Sequence, residues 1–417
     1  MELDESRIAQ PRPIHILFIG AGAVGCFYGS RLHRPEANVF VSLVCRSNYD
    51  TIARDGVQLK THTFGDYQFS PRAVYPSIQA AAEADNAPNQ GWDYVVVTTK
   101  ALPDVTDDSK DIEPIIKQAP EGRSCIVLIQ NGVGIEEPHR KRFPKNPIVT
   151  AVTIVSAEQI SHGVVKQNRW TRISMGPYSD GLGGTTPATK TLVERATRST
   201  KQLVKLFTEH GKLRDAEEYD EVGILLVRWH KICINAAMNP SAVLAGGVGN
   251  ADMVTDTELR THLRGCMEEV FEAAPAILGR EFPAKLAKPE QILKSTERNT
   301  GGKPSMLVDW EHGRPMELEV ILGNPVRIAR RHGVDLMRLQ SLYALLRSAQ
   351  RLRDERKKQE VVHEPKKKEP EAVKAPEPEV VVAEKPIEVA EKPVEGAEKP
   401  LEGAEKTFEE APVPSKL

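Results

Sequence analysis

The run Ile14-His15-Ile16-Leu17-Phe18-Ile19 passes directly into Gly20-Ala21-Gly22-Ala23-Val24-Gly25. A buried strand that meets glycines at this spacing must turn sharply and open a helix. Gly20 makes the tight turn, Gly22 lets backbone approach a pyrophosphate, and Gly25 lets the helix pack close against the strand. The free N–H groups of the helix's first turn, at the positive end of its dipole, then hold the anion. Residues Gly20, Ala21, Gly22, Ala23, Val24 and Gly25 are therefore a candidate dinucleotide-binding turn.

A second strand is predicted over Val39 to Cys45. At its end, about 20 residues beyond the last glycine, an NAD site carries an acidic residue for the ribose 2′-hydroxyl. Here the residue is Arg46. A guanidinium meets a 2′-phosphate with charge-assisted hydrogen bonds and offers an uncharged ribose nothing equivalent. The spacing favours NADP(H), while Asp50 and Asp55, slightly later, are the residues an NAD reading would use.

Bulk properties narrow the remaining classes. A chain of 417 residues suits two domains. A net charge of −2 sets up no global field for nucleic acid or a membrane surface. The five cysteines (Cys26, Cys45, Cys125, Cys233, Cys266) are scattered without metal-like spacing, as expected of reduced thiols packed in a cytosolic protein. The eleven histidines show no metal-site spacing, so no metal is expected. The first residues, Met1-Glu2-Leu3-Asp4-Glu5, are neither a basic signal region nor an acid-poor transit peptide, which leads to the expectation of a soluble cytoplasmic protein.

Residues up to about 12 read as a loose arm. Beyond them, short Val/Ile-rich runs alternate with helical patterns in the manner of a parallel sheet. Tyr94 to Thr98 and Cys125 to Ile129 are further predicted strands, short strands follow from Ala151 to Tyr178, residues 181–186 form a loop, and a helix is predicted over Lys190 to His210. Ligands of open sheets bind beyond the carboxyl ends of the strands, which singles out Lys100 after one run and Gln130-Asn131-Gly132 after the other. An exposed strand-end lysine and ordinary turn chemistry are the alternatives for these two positions.

After Asp215 the periodicity becomes helical. Lys231, Asn235 and Asn239 stand at i, i+4 and i+8 and so share one stripe of a helix, with Pro240 disturbing the helix ladder beside them. Two asparagines and a lysine amid apolar residues either face solvent or line a polar ligand site. Asparagine's mediocre helix propensity gives a mere surface little reason to use it twice.

These motifs occur in a recognisable order. Gly20 to Gly25, Arg46, Thr98-Thr99-Lys100, Gln130-Asn131-Gly132-Val133-Gly134, Lys231-(x)3-Asn235-(x)3-Asn239-Pro240, Pro304-Ser305-Met306 and Met316-Glu317-Leu318-Glu319 run from about residue 13 to 352. In this the chain resembles the 2-dehydropantoate 2-reductases, or ketopantoate reductases. The resemblance implies NADPH-dependent reduction of 2-dehydropantoate to (R)-pantoate, on the route to pantothenate and coenzyme A. It implies Lys231 as the general acid and Glu317 as a second catalytic residue that holds a substrate hydroxyl. It also implies Asn131, Asn235, Asn239 and Ser305 at the substrate, and Lys100 and Asn131 at the cofactor. Two departures stand out: residues 301–304 read Gly-Gly-Lys-Pro where relatives often carry a small polar residue before the serine, and Glu319 replaces a shorter Asp.

The expected architecture is α/β: a Rossmann-type NADP-binding domain at 13–215, a mostly α-helical substrate domain at 216–352, and a disordered low-complexity tail at 353–417. In the tail Ala-Glu-Lys recurs every seven residues from Ala383, and proline after most repeats forbids a continuous helix. Deleting residues 357–417 is expected to leave turnover intact, and a large fall in kcat of the truncated protein would refute this. A small 2-oxo acid is the expected partner, and a homodimer and a protein docked on the tail are both compatible with the chain. Two other classes stay open: an NADP-dependent reductase of a different 2-oxo acid, and a non-catalytic NADP-binding regulator.

Overall fold

The computed structural model describes residues 12–363. Ten strands, β1 (Ile14–Ile19), β2 (Val39–Val44), β3 (Val57–Thr61), β4 (Gly65–Phe69), β5 (Val74–Tyr75), β6 (Tyr94–Val97), β7 (Cys125–Leu128), β8 (Ile148–Ser161), β9 (Val164–Tyr178) and β10 (Ala216–Glu218), form one sheet. Its order is β4-β3-β9-β8-β7-β6-β1-β2-β5, with β10 paired to β9. From β5 across to β8 every pairing is parallel. Strand order reverses at β1, which has β2 on one side and β6 on the other, so the crevice for a dinucleotide opens at the end of β1.

The strands end level. Ile19 is in register with Val44 and with Val97, and Val97 with Leu128. The segments that follow, at Gly20, Arg46, Thr98 and Ile129, thus emerge along one edge of the sheet. Period-2 alternation gives β1 two buried faces, as a parallel strand requires. Leu17 and Ile19 join a core shared with Trp229, Ile232 and Cys233 of the helical half, whereas Ile16 and Phe18 pack with Phe27, Tyr28, Leu203 and Phe207. A continuous apolar core therefore joins the sheet to the helices, and residues 12–363 make one compact unit.

Six helices matter for the site or for its support: α1 (Ala23–Leu32), α2 (Pro187–Lys205), α3 (Glu221–Leu244), α4 (Thr257–Leu278), α5 (Ser305–Glu311) and α6 (Met337–His363). Thr186 caps α2 by accepting from the Thr189 N–H, which starts the helix at Pro187, ahead of the expected Lys190. Asp220 caps α3 by accepting from the Gly223 N–H at 2.7 Å. That helix runs unbroken through Pro240 to Leu244. Proline costs a helix interior about 3 kcal/mol. Here every residue from Ala236 to Val243 is buried, and that packing outweighs the missing ladder bond.

Three expectations need correction or restriction. In place of several short strands between Ala151 and Tyr178 there is one long hairpin, β8 and β9. Register shifts at Val155/Ser156, Ser156/Ala157 and Gln159/Ser161 interrupt its alternation, and the broken period mimics separate strands. The last helix continues past residue 352, because Arg353 lies over the Trp310 ring and donates to the Arg314 carbonyl, and Lys357 donates to the Gly313 carbonyl. A truncation that spares this helix starts after His363. The N-terminal arm and the tail beyond His363 lie outside the described residues. Among those residues no helix is long and apolar enough to cross a membrane, no group of His, Cys, Asp or Glu has metal-site geometry, and all five cysteines are free and buried.

Candidate active site

The turn after β1 has the geometry its glycines require. Gly20 has φ +105°, a region that L side chains rarely adopt. A Cβ on Gly25 would lie 2.1 Å from the Gly20 carbonyl oxygen and 2.7 Å from Thr98 Oγ1. A Cβ on Gly22 would meet nothing within 4 Å, so space stays open beside that backbone. Thr98 Oγ1 donates to the Gly20 carbonyl at 2.6 Å and Asn48 Nδ2 to the Ala21 carbonyl at 2.7 Å, which pins the turn from both sides. Gly22 is the N-cap of α1 and supplies no side-chain acceptor, so the first-turn N–H groups around Ala23 and Val24 are available to an anion. The open cradle and free donors fit the pyrophosphate of a dinucleotide. Arg46 is exposed at the end of β2, beside the turn.

Across the same edge, α3 presents the lysine–asparagine stripe. Lys231 is half-buried, and its Nζ donates to Asn131 Oδ1 at 2.7 Å and to the Thr153 carbonyl on β8 at 2.8 Å. Asn131 Nδ2 in turn donates to Glu317 Oε2 at 3.1 Å, and the Ala101 N–H donates to Glu317 Oε1 at 3.2 Å. Lysine, asparagine and glutamate thus form one chain of hydrogen bonds drawn from three separate parts of the sequence.

Burial makes that chain responsive to protons. It pushes the Lys231 ammonium down to about 8, with help from the like charge of Arg228 and against the attraction of Glu317. Burial also pushes the Glu317 carboxyl up, against the Asn131 amide, the Lys100 charge, the Ala101 N–H and Lys231. A lysine lowered to about 8 is better matched to proton transfer than a solvated lysine.

The other predicted site residues divide. Asn239 is 5 % exposed and its Nδ2 has no hydrogen-bond partner. An unpaired buried amide costs about 1–3 kcal/mol, the signature of a group that waits for a ligand. Asn235, one turn nearer Lys231, is half-buried. Ser305 is exposed at the first position of α5 and shares no hydrogen bond with the Lys231 set. Lys100 ion-pairs with Asp309 on α5, a carboxylate that also takes Arg314 at 3.1 Å. Glu319 is held by Tyr343 and Arg327.

Four supporting residues escaped the sequence reading: Thr153, Asp309, and the buried pair Arg228 and Glu136. Arg228 left a usable signal, being a lone charge in the apolar run Ile224-Leu225-Leu226-Val227-Arg228-Trp229. The backbone carbonyl of Thr153 left none.

A glycine turn at the switch point of a parallel sheet, faced by polar groups from a helical second half, places the molecule in the class of Rossmann-type α/β proteins. Comparison with known proteins narrows this. The family model for ketopantoate reductase PanE/ApbA matches residues 16–180, and that for its C-terminal domain matches residues 223–350. The chain is 33 % identical over 362 residues to the uncharacterized protein YDL144C of Saccharomyces cerevisiae, covering 82 % of this chain and 95 % of that one. It is similar to the crystal structure of 2-dehydropantoate 2-reductase from Methylococcus capsulatus, with TM-score 0.65, 33 % identity, and coverage of 82 % and 98 %. The ternary structure of D-mandelate dehydrogenase with NADH and anilino(oxo)acetate shares the fold at TM-score 0.62 and 19 % identity, over 82 % and 100 % of the two chains. The chain belongs to the ketopantoate reductase family, a family of nicotinamide-dinucleotide oxidoreductases acting on 2-oxo acids.

Proposed function

We propose that the protein reduces 2-dehydropantoate to (R)-pantoate with NADPH, in the synthesis of pantothenate. The observation that carries this reading is the Lys231–Asn131–Glu317 chain, set against the sheet edge where the glycine turn opens. Gly20 to Gly25 would hold the pyrophosphate and Arg46 the 2′-phosphate, and the bound dinucleotide supplies a hydride to the carbonyl carbon. Lys231 Nζ gives its proton to the carbonyl oxygen and, while still charged, stabilises the negative charge that develops there. Hydride on carbon and proton on oxygen together make the alcohol. Asn131 holds the ammonium by its Oδ1 and the carboxylate by its Nδ2, so both face the same space. Glu317 accepts a substrate hydroxyl, Asn239 and Asn235 offer amide donors along the stripe, and Ser305 closes the site from α5. In this reading residues 13–215 are the cofactor half and 216–352 the substrate half.

A second reading, a reductase of another 2-oxo acid, keeps the same cofactor residues and proton donor and changes what surrounds Ser305 and Glu317. It is favoured by the glycines at 301 and 302, which bring no side-chain amide to that place. Following NADPH oxidation by purified protein with 2-dehydropantoate beside a panel of 2-oxo acids separates the two. Turnover selective for 2-dehydropantoate supports the first reading, and selectivity for another acid supports the second. Tight NADPH binding with no turnover of any acid would leave the regulator.

Cofactor choice has its own test. Arg46→Asp is expected to weaken NADPH by at least about tenfold, the worth of a hydrogen bond to a charged group, and to change NADH little. Equal losses for both, measured as dissociation constants, would remove Arg46 from the 2′-phosphate.

A further inference from the structure

One turn before Lys231 on α3, Arg228 lies with its side chain 2 % exposed. A guanidinium out of water is costly unless its donors are met. Nη1 donates to the Gln130 carbonyl at 2.8 Å and to the Gly132 carbonyl at 2.9 Å. Nη2 donates to the Ala151 carbonyl at 3.1 Å and to Thr150 Oγ1. Nε, which makes no hydrogen bond, forms an ion pair with Glu136 at 2.9 Å from its Oε1; that oxygen accepts from the Thr150 hydroxyl at 2.6 Å, and Glu136 is itself 1 % exposed.

The two carbonyls on Nη1 are those that flank Asn131. They lie past the end of β7, where the strand ladder supplies no donor. Gly132 has φ +95° and is packed so tightly that a Cβ there would sit 2.3 Å from Val320 Cβ, so the loop has little freedom on its far side. On its near side it is held by one planar fork, which also ties it to β8 next to Thr153, the other acceptor of the Lys231 ammonium.

We propose that Arg228, ion-paired with Glu136, is a positioning residue that fixes Asn131 between Lys231 and Glu317, so that its loss impairs proton donation and leaves dinucleotide binding at Gly20–Gly25 unchanged. The inference rests on the reading of Lys231 as the proton donor. Arg228 touches neither reactant in this scheme. It acts through the loop and through its charge. The charged groups that face the Lys231 ammonium are Arg228 on its own helix and Glu317 across the site, while Asn131 and the Thr153 carbonyl are neutral. Lys100 reaches the set through Glu317. Removing the Arg228 charge takes away a repulsion, so the Lys231 titration moves upward, and burial still holds it below that of a free lysine.

Two full-length variants separate the roles. Arg228→Lys keeps the charge, but a single ammonium cannot span four acceptors on a fork. The paired variant Arg228→Met with Glu136→Gln removes both buried charges together. The measurements are kcat over pH, the dissociation constant of NADPH, and the pH dependence of Lys231 acylation by an amine-directed reagent, read by mass spectrometry without substrate. The expected result is a kcat lower by about tenfold to about 10²-fold in both variants, the effect of a misplaced catalytic group, with NADPH affinity within about twofold of wild type. The Lys231 titration stays in place in Arg228→Lys and moves upward in the paired variant.

An unchanged kcat, or NADPH affinity that falls in step with kcat, overturns the proposal. If the paired variant does not fold, Arg228→Lys decides on kcat against NADPH affinity alone. A wild-type protein that turns over no 2-oxo acid refutes the proposed function, and acylation still tests the clamp: an unmoved Lys231 titration in the paired variant overturns it.

Discussion

Lys231→Ala lowers kcat by at least about 10²-fold, the lower range for a lost general acid, and leaves NADPH affinity nearly unchanged. The reason lies in what remains. Asn131 and Glu317 stay in place, but neither brings a positive charge to the carbonyl oxygen, since the Asn131 amide is neutral and Glu317 becomes an anion when it gives up a proton. The same lysine sets the pH dependence. Its folded value is lowered from 10.5 to about 8, chiefly by burial, so the acid form that donates is complete below that point and is lost as pH rises through it. Wild-type kcat/KM therefore holds level from neutral pH and falls about tenfold per pH unit above about 8, whereas the alanine variant lacks this limb. Near-normal turnover in Lys231→Ala, or a wild-type profile still flat well above pH 8, would remove Lys231 from the mechanism.

How far the sequence reveals such a site depends on whether a residue's task leaves a local mark. The turn after β1 does. Gly20 and Gly25 are demanded by contacts with the neighbouring strand end, and the spacing of the glycines alone states that geometry. The Lys231 stripe is almost as plain, because a helical period carries it. By contrast, the meeting of Lys231, Asn131 and Glu317 follows from tertiary packing, and only the resemblance to a family grouped these residues in advance. Arg228 and Glu136 lie 92 positions apart and nothing local marks them as a pair. The long β8–β9 hairpin was obscured because its bulges break the period that announces a strand. Pro240 misled in the other direction. It carries a real local penalty that burial of the surrounding turn overrides, as tertiary context commonly does to propensity.

Gly25→Ala is expected to lower NADPH affinity on the order of 10²-fold and to lower the melting temperature as well, overpacking of this kind costing about 1–3 kcal/mol. The added methyl would stand 2.1 Å from the Gly20 carbonyl oxygen, far inside contact distance. That oxygen cannot swing aside as a side chain would. It belongs to a residue at φ +105°, it accepts from Thr98 Oγ1 at 2.6 Å, and Thr98 Oγ1 itself would be 2.7 Å from the new methyl. Relief requires α1 to move off β1, and the helix takes with it the first-turn N–H groups that hold the anion. Gly22→Ala isolates the second half of this argument. At Gly22 the backbone is extended, with φ −78° and ψ −172°, and a Cβ meets nothing within 4 Å, so the variant should melt with the wild type. Its methyl nevertheless stands where a pyrophosphate must approach the backbone, and NADPH affinity should fall with no loss of stability. Wild-type affinity in Gly22→Ala, measured by titration of NADPH fluorescence, would mean that the turn is a packing device and that the dinucleotide lies elsewhere.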